Sequence, residues 1–402
     1  MNREQAENRA TLGAGLFTNG VWDMLSVVVP LYAAGVGLSV AEIGLVVAAR
    51  SVLPAALSIH GGILMDELGT RRVLLWVAMA CASLPLLYPA SGWFTALFAL
   101  QLLLGLANSV AMAAAQTWSL QASHGDVAML ARFSVVSRIG TFLGPVVVGA
   151  AWDLFGAWAA FVCVSLCGAG IVAAAAFAAP GGAGAPHHAK SPPLTGAYAI
   201  RALVPRWAEH KQAIALAAIP AVAFVLAASF LRNAPGSIQA SLYVVYLADI
   251  GFTGTIIGAL VAISELFGVF GSMVAAPMER VIRGERLLIA CIAASTAAIA
   301  VTPLVGHFLL LLVAASIVRG VAQGISQPLM YSILGRSAPS TRHGASVGLR
   351  NAVVRLASIV TPAVMGIAAE AWGLEASFYV IGAPLLLAAA ALAVAARGLK
   401  FR

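Results

Sequence analysis

Apolar runs of roughly 20 residues recur along this chain from Ala10 to Ala396. A run of that length is what an α-helix needs to cross the ~30 Å hydrocarbon core of a bilayer. Composition agrees, because 9% of the residues are charged and 61% are hydrophobic, whereas a soluble domain carries ~25% charge. The mean hydropathy is +0.96. The 402-residue chain therefore reads as an all-α polytopic membrane protein.

Twelve spans fall at about 10–35, 40–64, 72–90, 93–120, 130–152, 157–179, 213–247, 254–277, 286–304, 307–334, 345–368 and 375–396. The opening MNREQAENRA mixes acids with Arg3 and Arg9, and no small-residue cleavage site follows the first apolar run. That run reads as a retained span and not as a signal peptide. Loops after even-numbered spans hold Arg71, Arg72, Lys190, Arg201, Arg206, Lys211, Arg280, Arg283, Arg336 and Arg342, while the opposite loops hold Asp153, Asp249, Glu370 and Glu375. By the positive-inside rule both termini are expected in the cytoplasm, in a multi-pass protein of the cell inner (cytoplasmic) membrane. The net charge of +8 then reflects topology and gives no reason to expect a nucleic-acid partner.

Cys81, Cys163, Cys167 and Cys291 all sit inside apolar runs, where thiols pack as small hydrophobes. No metal site and no cofactor are expected. A GxxxxGK[ST] phosphate loop and an HExxH pair are missing from the sequence, which argues against a primary pump and against a metal-dependent hydrolase.

The stretch 180–212 opens on Pro and Gly, a linker composition, and its His187 and His188 read as solvated. Its second part, with Tyr198, Leu203 and Trp207 among basic residues, fits a short helix on the membrane surface. The linker separates related halves, 1–179 and 213–402. SRIGTFLGPVVVGAAWDLFG (Ser137–Gly156) matches VRLASIVTPAVMGIAAEAWG (Val354–Gly373), pairing Arg138 with Arg355, Pro145 with Pro362, Gly149 with Gly366, Asp153 with Glu370 and Gly156 with Gly373. GLSVAEIG (Gly37–Gly44) matches GFTGTIIG (Gly251–Gly258). A repeat of this size predicts two parallel six-helix bundles, the architecture of secondary transporters.

In so uncharged a chain, GGILMDELGTRRVLL (Gly61–Leu75) places Asp66, Glu67, Arg71 and Arg72 together. Gly69 permits a tight turn there, and Arg71 and Arg72 anchor the next span. Here the chain resembles the major facilitator superfamily, whose loop between spans two and three reads roughly G-x-L-x-D-R-x-G-R-R. Gly62, Leu64, Asp66, Gly69, Arg71 and Arg72 match, while Glu67 and Thr70 depart. The resemblance implies that Asp66 pairs with the start of span eleven near His343–Ser346 and latches one conformation. Gly140, Gly144, Pro145 and Gly149 in span five look like the "antiporter" motif of the drug:proton antiporter branch, which favours export.

An ionisable side chain deep in a span costs ~2.5–3.5 kcal/mol on insertion scales and is a functional hypothesis by default. By position, the deep ones are Asp23, Arg50, Arg138, Arg232, Glu265, Arg319 and Arg355. The resemblance implies that spans one, four, seven and ten line the central cavity. Polar residues fall on those spans in helical register: Asn19 with Asp23, Asn108 with Gln116, and Arg319 with Gln323 and Gln327. On span seven stand Arg232, Asn233 and Gln239, where NAPGS is expected to break the helix.

Asp23 is the expected proton carrier. Glu265 is its competitor, or else pairs with Arg138 as a latch. Arg50 and Arg355, as two cations, suggest an anion site or separate roles. Arg350 and Arg132 lie nearer the span ends and read as anchors, and Ser39 with Glu42 reads as a capping box. The expectation is a monomeric, proton-coupled secondary transporter of a small anionic or amphipathic organic solute. Export by antiport stands ahead of import by symport, and a non-transporting receptor comes last.

Overall fold

The structure, a computed structural model, describes residues 3–123, 126–177, 218–337 and 343–398. The linker expected at 180–212, with His187 and His188, lies outside them. Helices follow one another as α1 (Arg3–Gly35), α2 (Val40–Leu68), α3 (Thr70–Ser83), α4 (Phe94–Ser123), α5 (Val127–Phe177), α6 (Pro220–Gln239), α7 (Leu242–Asp249), α8 (Gly254–Val281), α9 (Gly284–Ala300), α10 (Leu309–Ser337), α11 (His343–Trp372) and α12 (Leu374–Gly398). Among the described residues there is no strand.

Ten helical stretches are long and apolar enough to cross a membrane. One of them, Ala128–Ala176, has 49 residues, about twice what one crossing uses, and Gly156 (φ +80°) breaks it. With α9, 17 residues long, the expected twelve crossings are accounted for. Large apolar side chains such as Leu154, Phe155, Leu310 and Leu387 stand more than 70% exposed, as lipid-facing surfaces require.

The chain forms two compact units. The first takes in 3–37, 49–177 and Thr253–Ala259, and the second takes in Leu38–Ala48, 218–252 and 260 onward. In the first unit α1 packs most extensively along α5. A Cβ on Gly140 would overlap the Leu16 carbonyl, and one on Gly144 would press on Gly20 and Met24. The first two glycines of the antiporter-like motif are thus used to seat α5 on α1. In the second unit Phe224, Leu231, Leu288, Ile292, Leu329 and Met330 form a core shared by α6, α9 and α10.

Turn glycines reproduce the repeat. Gly37 and Gly251 take φ +80° and +93°, and Gly156 and Gly373 take +80° and +89°, conformations open mainly to glycine. Gly69, with φ +87°, makes the turn expected between α2 and α3. One expectation needs correction. NAPGS does not break span seven, since α6 runs unbroken through Pro235 to Gln239 and the interruption comes at Ala240–Ser241. Two side chains add bonds to carbonyls in the turn before the proline. Ser237 Oγ donates to the Asn233 carbonyl at 3.1 Å, and Gln323 Nε2 donates to the Arg232 carbonyl at 3.2 Å.

Candidate functional site

In the first unit the polar residues gather where α1 meets α2 and α4. The Arg50 guanidinium lies 3.4 Å from the centre of the Trp22 ring, a cation–π contact. Its Nη1 donates to the Trp22 carbonyl at 3.0 Å, on the peptide that leads into Asp23. Asn108 is fully buried. Its amide is oriented so that the nitrogen donates to the Thr18 carbonyl and the oxygen accepts from Trp22 N–H, both at 3.1 Å. A side chain inserted at a rung of the helical ladder is a recognised cause of helix distortion, and this one sits a residue before Asp23. Asp23 itself is half-buried, one turn beyond Asn19, whose Nδ2 donates to the Gly15 carbonyl at 2.8 Å. Gln116 is not brought into this group, being exposed on α4 while Asn108 faces inward.

The second unit holds the larger constellation. Arg232 on α6 donates through Nε to Ser326 Oγ at 2.7 Å, and through Nη2 to the Gln323 carbonyl at 2.9 Å and to Gln327 Oε1 at 3.1 Å. Gln323 returns a bond to the Arg232 carbonyl and a second to Ser295 Oγ at 3.3 Å. Asn233 reaches the other way, its Nδ2 donating to Ser358 Oγ at 2.8 Å and to the Val354 carbonyl at 3.1 Å on α11. Arg319 is 1% exposed. Its Nε donates to Ser264 Oγ at 3.4 Å, its guanidinium stands 5.0 Å from the Tyr243 ring, and its Nη2 is buried without a hydrogen-bond partner. Gln239, four residues before Tyr243, is buried with its Nε2 also unpartnered. Glu265 follows Ser264 on α8, and Arg355 lies a turn before Ser358 on α11; both are half-buried.

Sequence reasoning missed Arg350 as part of this group. It is 5% exposed, its Nη1 donates to the Tyr331 hydroxyl at 3.1 Å and to Asn351 Oδ1 at 3.3 Å, and its Nε is buried without a partner. The available signal was Tyr331, which extends the stripe Arg319, Gln323, Gln327 by one more turn of α10. Gln327 holds Arg232 and Tyr331 holds Arg350, so two guanidinium groups stand on adjacent turns of one α10 face. The bonds drawn by Arg232, Arg319 and Arg350 all go to uncharged oxygens. Such partners satisfy donors without neutralising the charge. Glu265 is the acid whose field reaches Arg232 and Arg319. It is one carboxylate among several cations, so the cluster stays positive and suited to an anion.

Among the latch candidates, Arg71 has a defined place. Its Nε donates to the Ala175 carbonyl at 2.7 Å and its Nη2 to the Ala176 carbonyl at 2.9 Å, closing the last turn of α5 as cations do at helix C-termini. Arg72 is exposed and Arg138 half-buried. Gly62 falls within α2, while the side chains of Asp66 and of His343–Ser346 lie outside the described residues. Pro145 and Gly149 pack on the first turns of α8. No group of three or more His, Cys, Asp or Glu positioned to hold a metal occurs among the described residues, and the four cysteines are free thiols.

Against known proteins, the model of the family described as Major Facilitator Superfamily matches residues 11–235 and again 225–400. No curated protein matches the sequence. Among solved structures, a point mutant of the nucleoside transporter NupG superposes with a TM-score of 0.78 at 13% identity, covering 98% of this chain and 100% of that one. A point mutant of the peptide transporter POT in complex with sulfate gives 0.76 at 16% identity, covering 99% and 98%. A POT family transporter in complex with 5-aminolevulinic acid gives 0.73 at 12% identity, covering 96% and 95%.

Proposed function

The chain belongs to the major facilitator superfamily, and from that premise we propose that it is a proton-coupled secondary transporter moving a small anionic or amphipathic organic solute by alternating access. The observation that supports the substrate class is the cluster of guanidinium groups, half-buried Arg232 with buried Arg319 and Arg350, whose hydrogen bonds go to uncharged oxygens. A carboxylate or phosphate accepts two parallel N–H bonds from such a fork. In this reading Arg232, Asn233, Gln239, Arg319, Gln323, Gln327 and Arg355 form the solute side, with Asn19, Arg50 and Asn108 contributed by the first half. The halves are 1–179 and 213–402, joined by a cytoplasmic linker at 180–212, and both termini face the cytoplasm. The protein works as a monomer.

Asp23 carries the proton. A carboxyl in a partly dry cavity resists ionisation, and a neighbouring guanidinium favours it, so movement of Arg50 relative to Asp23 would switch its protonation. Glu265, one residue past the Arg319 partner Ser264, is the second candidate. Proton exchange for solute export is favoured by the antiporter-like segment Gly144–Pro145, and symport of an organic anion uses the same groups in reverse.

The test is transport in proteoliposomes with an imposed pH gradient, over a panel of carboxylates, phosphates, nucleosides and short peptides. Asp23→Asn is expected to abolish accumulation driven by the pH gradient while keeping exchange of solute for solute. Accumulation that survives in Asp23→Asn moves the proton to Glu265. A panel in which only cationic solutes are carried overturns the anion reading.

A further inference from the structure

Corresponding ends of the repeated halves carry corresponding acids, and both acids reach a helix start. Near the break in α5, Asp153 accepts three bonds from the opening of α8. Gly254 N–H donates to Oδ1 at 2.8 Å, and Thr255 N–H and its hydroxyl donate to Oδ2 at 2.7 and 2.6 Å. Near the end of α11, its repeat counterpart Glu370 accepts one bond, 3.4 Å long, from Ala41 N–H at the opening of α2. Beneath each acid the backbones close until only glycine fits. A Cβ on Gly149 would overlap the Gly254 carbonyl and one on Gly258 the Pro145 carbonyl; in the other copy, Gly44 meets the Pro362 carbonyl and Gly366 meets Val40 and Ala41. The first set lies wholly within the first unit and the second wholly within the second.

The copies differ in how the helix start is satisfied. α2 has its own capping box, in which Ser39 N–H donates to Glu42 Oε2 at 2.9 Å and Glu42 N–H donates to Ser39 Oγ at 3.3 Å. In α8 the counterparts are Thr253 and Ile256. The Thr253 hydroxyl oxygen accepts a single 3.4 Å bond from Ile256 N–H, and no carboxylate stands at the third position. The first N–H groups of α8 are therefore left to Asp153, which meets both free donors and the positive end of the helix dipole.

We infer that Asp153 is a positioning residue of the transport cycle, tying the end of α5 to the start of α8 in one state and releasing it in another, with Glu370 as its weaker copy between α11 and α2. The inference rests on alternating access, since a protein without a second state has nothing for the tie to leave. α8 is the helix whose opening turns belong to the first unit and whose remainder belongs to the second. A tie at Gly254 and Thr255 decides whether those turns stay with α5 or follow the rest of their own helix.

The experiment uses the full chain in liposomes, with its four native cysteines replaced and spin labels placed at Phe155→Cys and Asp249→Cys, both exposed positions. Distances are read by double electron–electron resonance. Asp153→Ala is expected to shift the ratio of the short to the long population roughly 5–30-fold, the equilibrium effect of losing one helix cap. Glu370→Ala is expected to shift it less. Adding Ile256→Glu to Asp153→Ala supplies α8 with the box that α2 already has. That variant should recover the thermal unfolding temperature and leave the distances shifted. If Ile256→Glu restores the distances too, or if Asp153→Ala leaves the ratio unchanged, Asp153 is only a cap and the inference fails. A single population in the parent protein under every solute and pH gradient would sink alternating access itself.

Discussion

Arg232, half-buried, and Arg319, buried, are both guanidinium groups on apolar spans, yet removing them should have opposite effects on the folded protein. Arg232 makes three well-formed bonds to α10. Arg232→Met removes the bond to buried Ser326 and one of two bonds to the Gln323 carbonyl, while Gln327 is exposed; the expected cost is ~1–3 kcal/mol. Arg319 has one long bond and an unpartnered Nη2, so its burial is poorly compensated. Replacing such a charge with an apolar chain of similar volume is often neutral or stabilising. Thermal unfolding in detergent is expected to fall for Arg232→Met, hold or rise for Arg319→Met, and both variants should lose anion transport. Equal destabilisation by the two would show that Arg319 is structurally engaged. Most of this contrast was hidden in the sequence, which names the arginines and not their acceptors. Arg350 read as an anchor because its position suggested a helix end, and only packing places its Nη1 on Tyr331. Serines 264, 295, 326 and 358 are the acceptors or donors that decide the matter, and serine is too common in any sequence to stand out.

Helix boundaries were more legible than side-chain partners, because a boundary needs a residue of special backbone geometry. Gly37, Gly69, Gly156, Gly251 and Gly373 all take positive φ, and four of them are paired by the sequence repeat. Gly156, at φ +80° and ψ −172°, occupies a region essentially closed to other residues, at ~1–3 kcal/mol for an L side chain. Gly156→Ala is expected to destabilise the fold by that free energy, read as a lower unfolding temperature. Gly13→Ala is the control, since its new Cβ would meet only Ala174 Cβ at an ordinary 3.5 Å and helical alanine outdoes glycine by ~1 kcal/mol. A tolerated Gly156→Ala would mean that the break in α5 is set by packing on either side and not by its glycine. The misread NAPGS segment marks the limit of local rules. Proline removes one rung and glycine adds freedom, but neither ends a helix held by bonds on the adjacent carbonyls, as Gln323 and Ser237 hold Arg232 and Asn233 before Pro235.

For the whole chain, the period of apolar runs and the internal repeat were enough to anticipate the helical architecture, since both record constraints that lipid imposes on every crossing. Chemistry is divided less evenly than architecture. The first unit supplies Asp23 beside the Trp22–Arg50 stack, and the second supplies Arg232, Arg319 and Arg350 with their neutral acceptors. The repeat keeps the glycines, the terminal acids and the pair Arg138 and Arg355, but Asp23, Arg232 and Arg319 have no like counterpart in it, so repeat logic could not locate them. If proton binding resides in the first set and anion binding in the second, their variants should separate cleanly. Asp23→Asn should remove the pH dependence of solute exchange while leaving the ligand-induced rise in unfolding temperature intact. Arg232→Met should abolish that rise, which would otherwise reach ~2.7 kcal/mol at a hundredfold excess over Kd, and should leave a proton-linked signal at Asp23. Coupling then appears as non-additivity in the double variant, because groups that act independently give additive free energies within ~0.3–0.5 kcal/mol. Strict additivity for transport would mean that proton and solute move without thermodynamic linkage, and the chain would be a facilitator driven by the solute gradient alone.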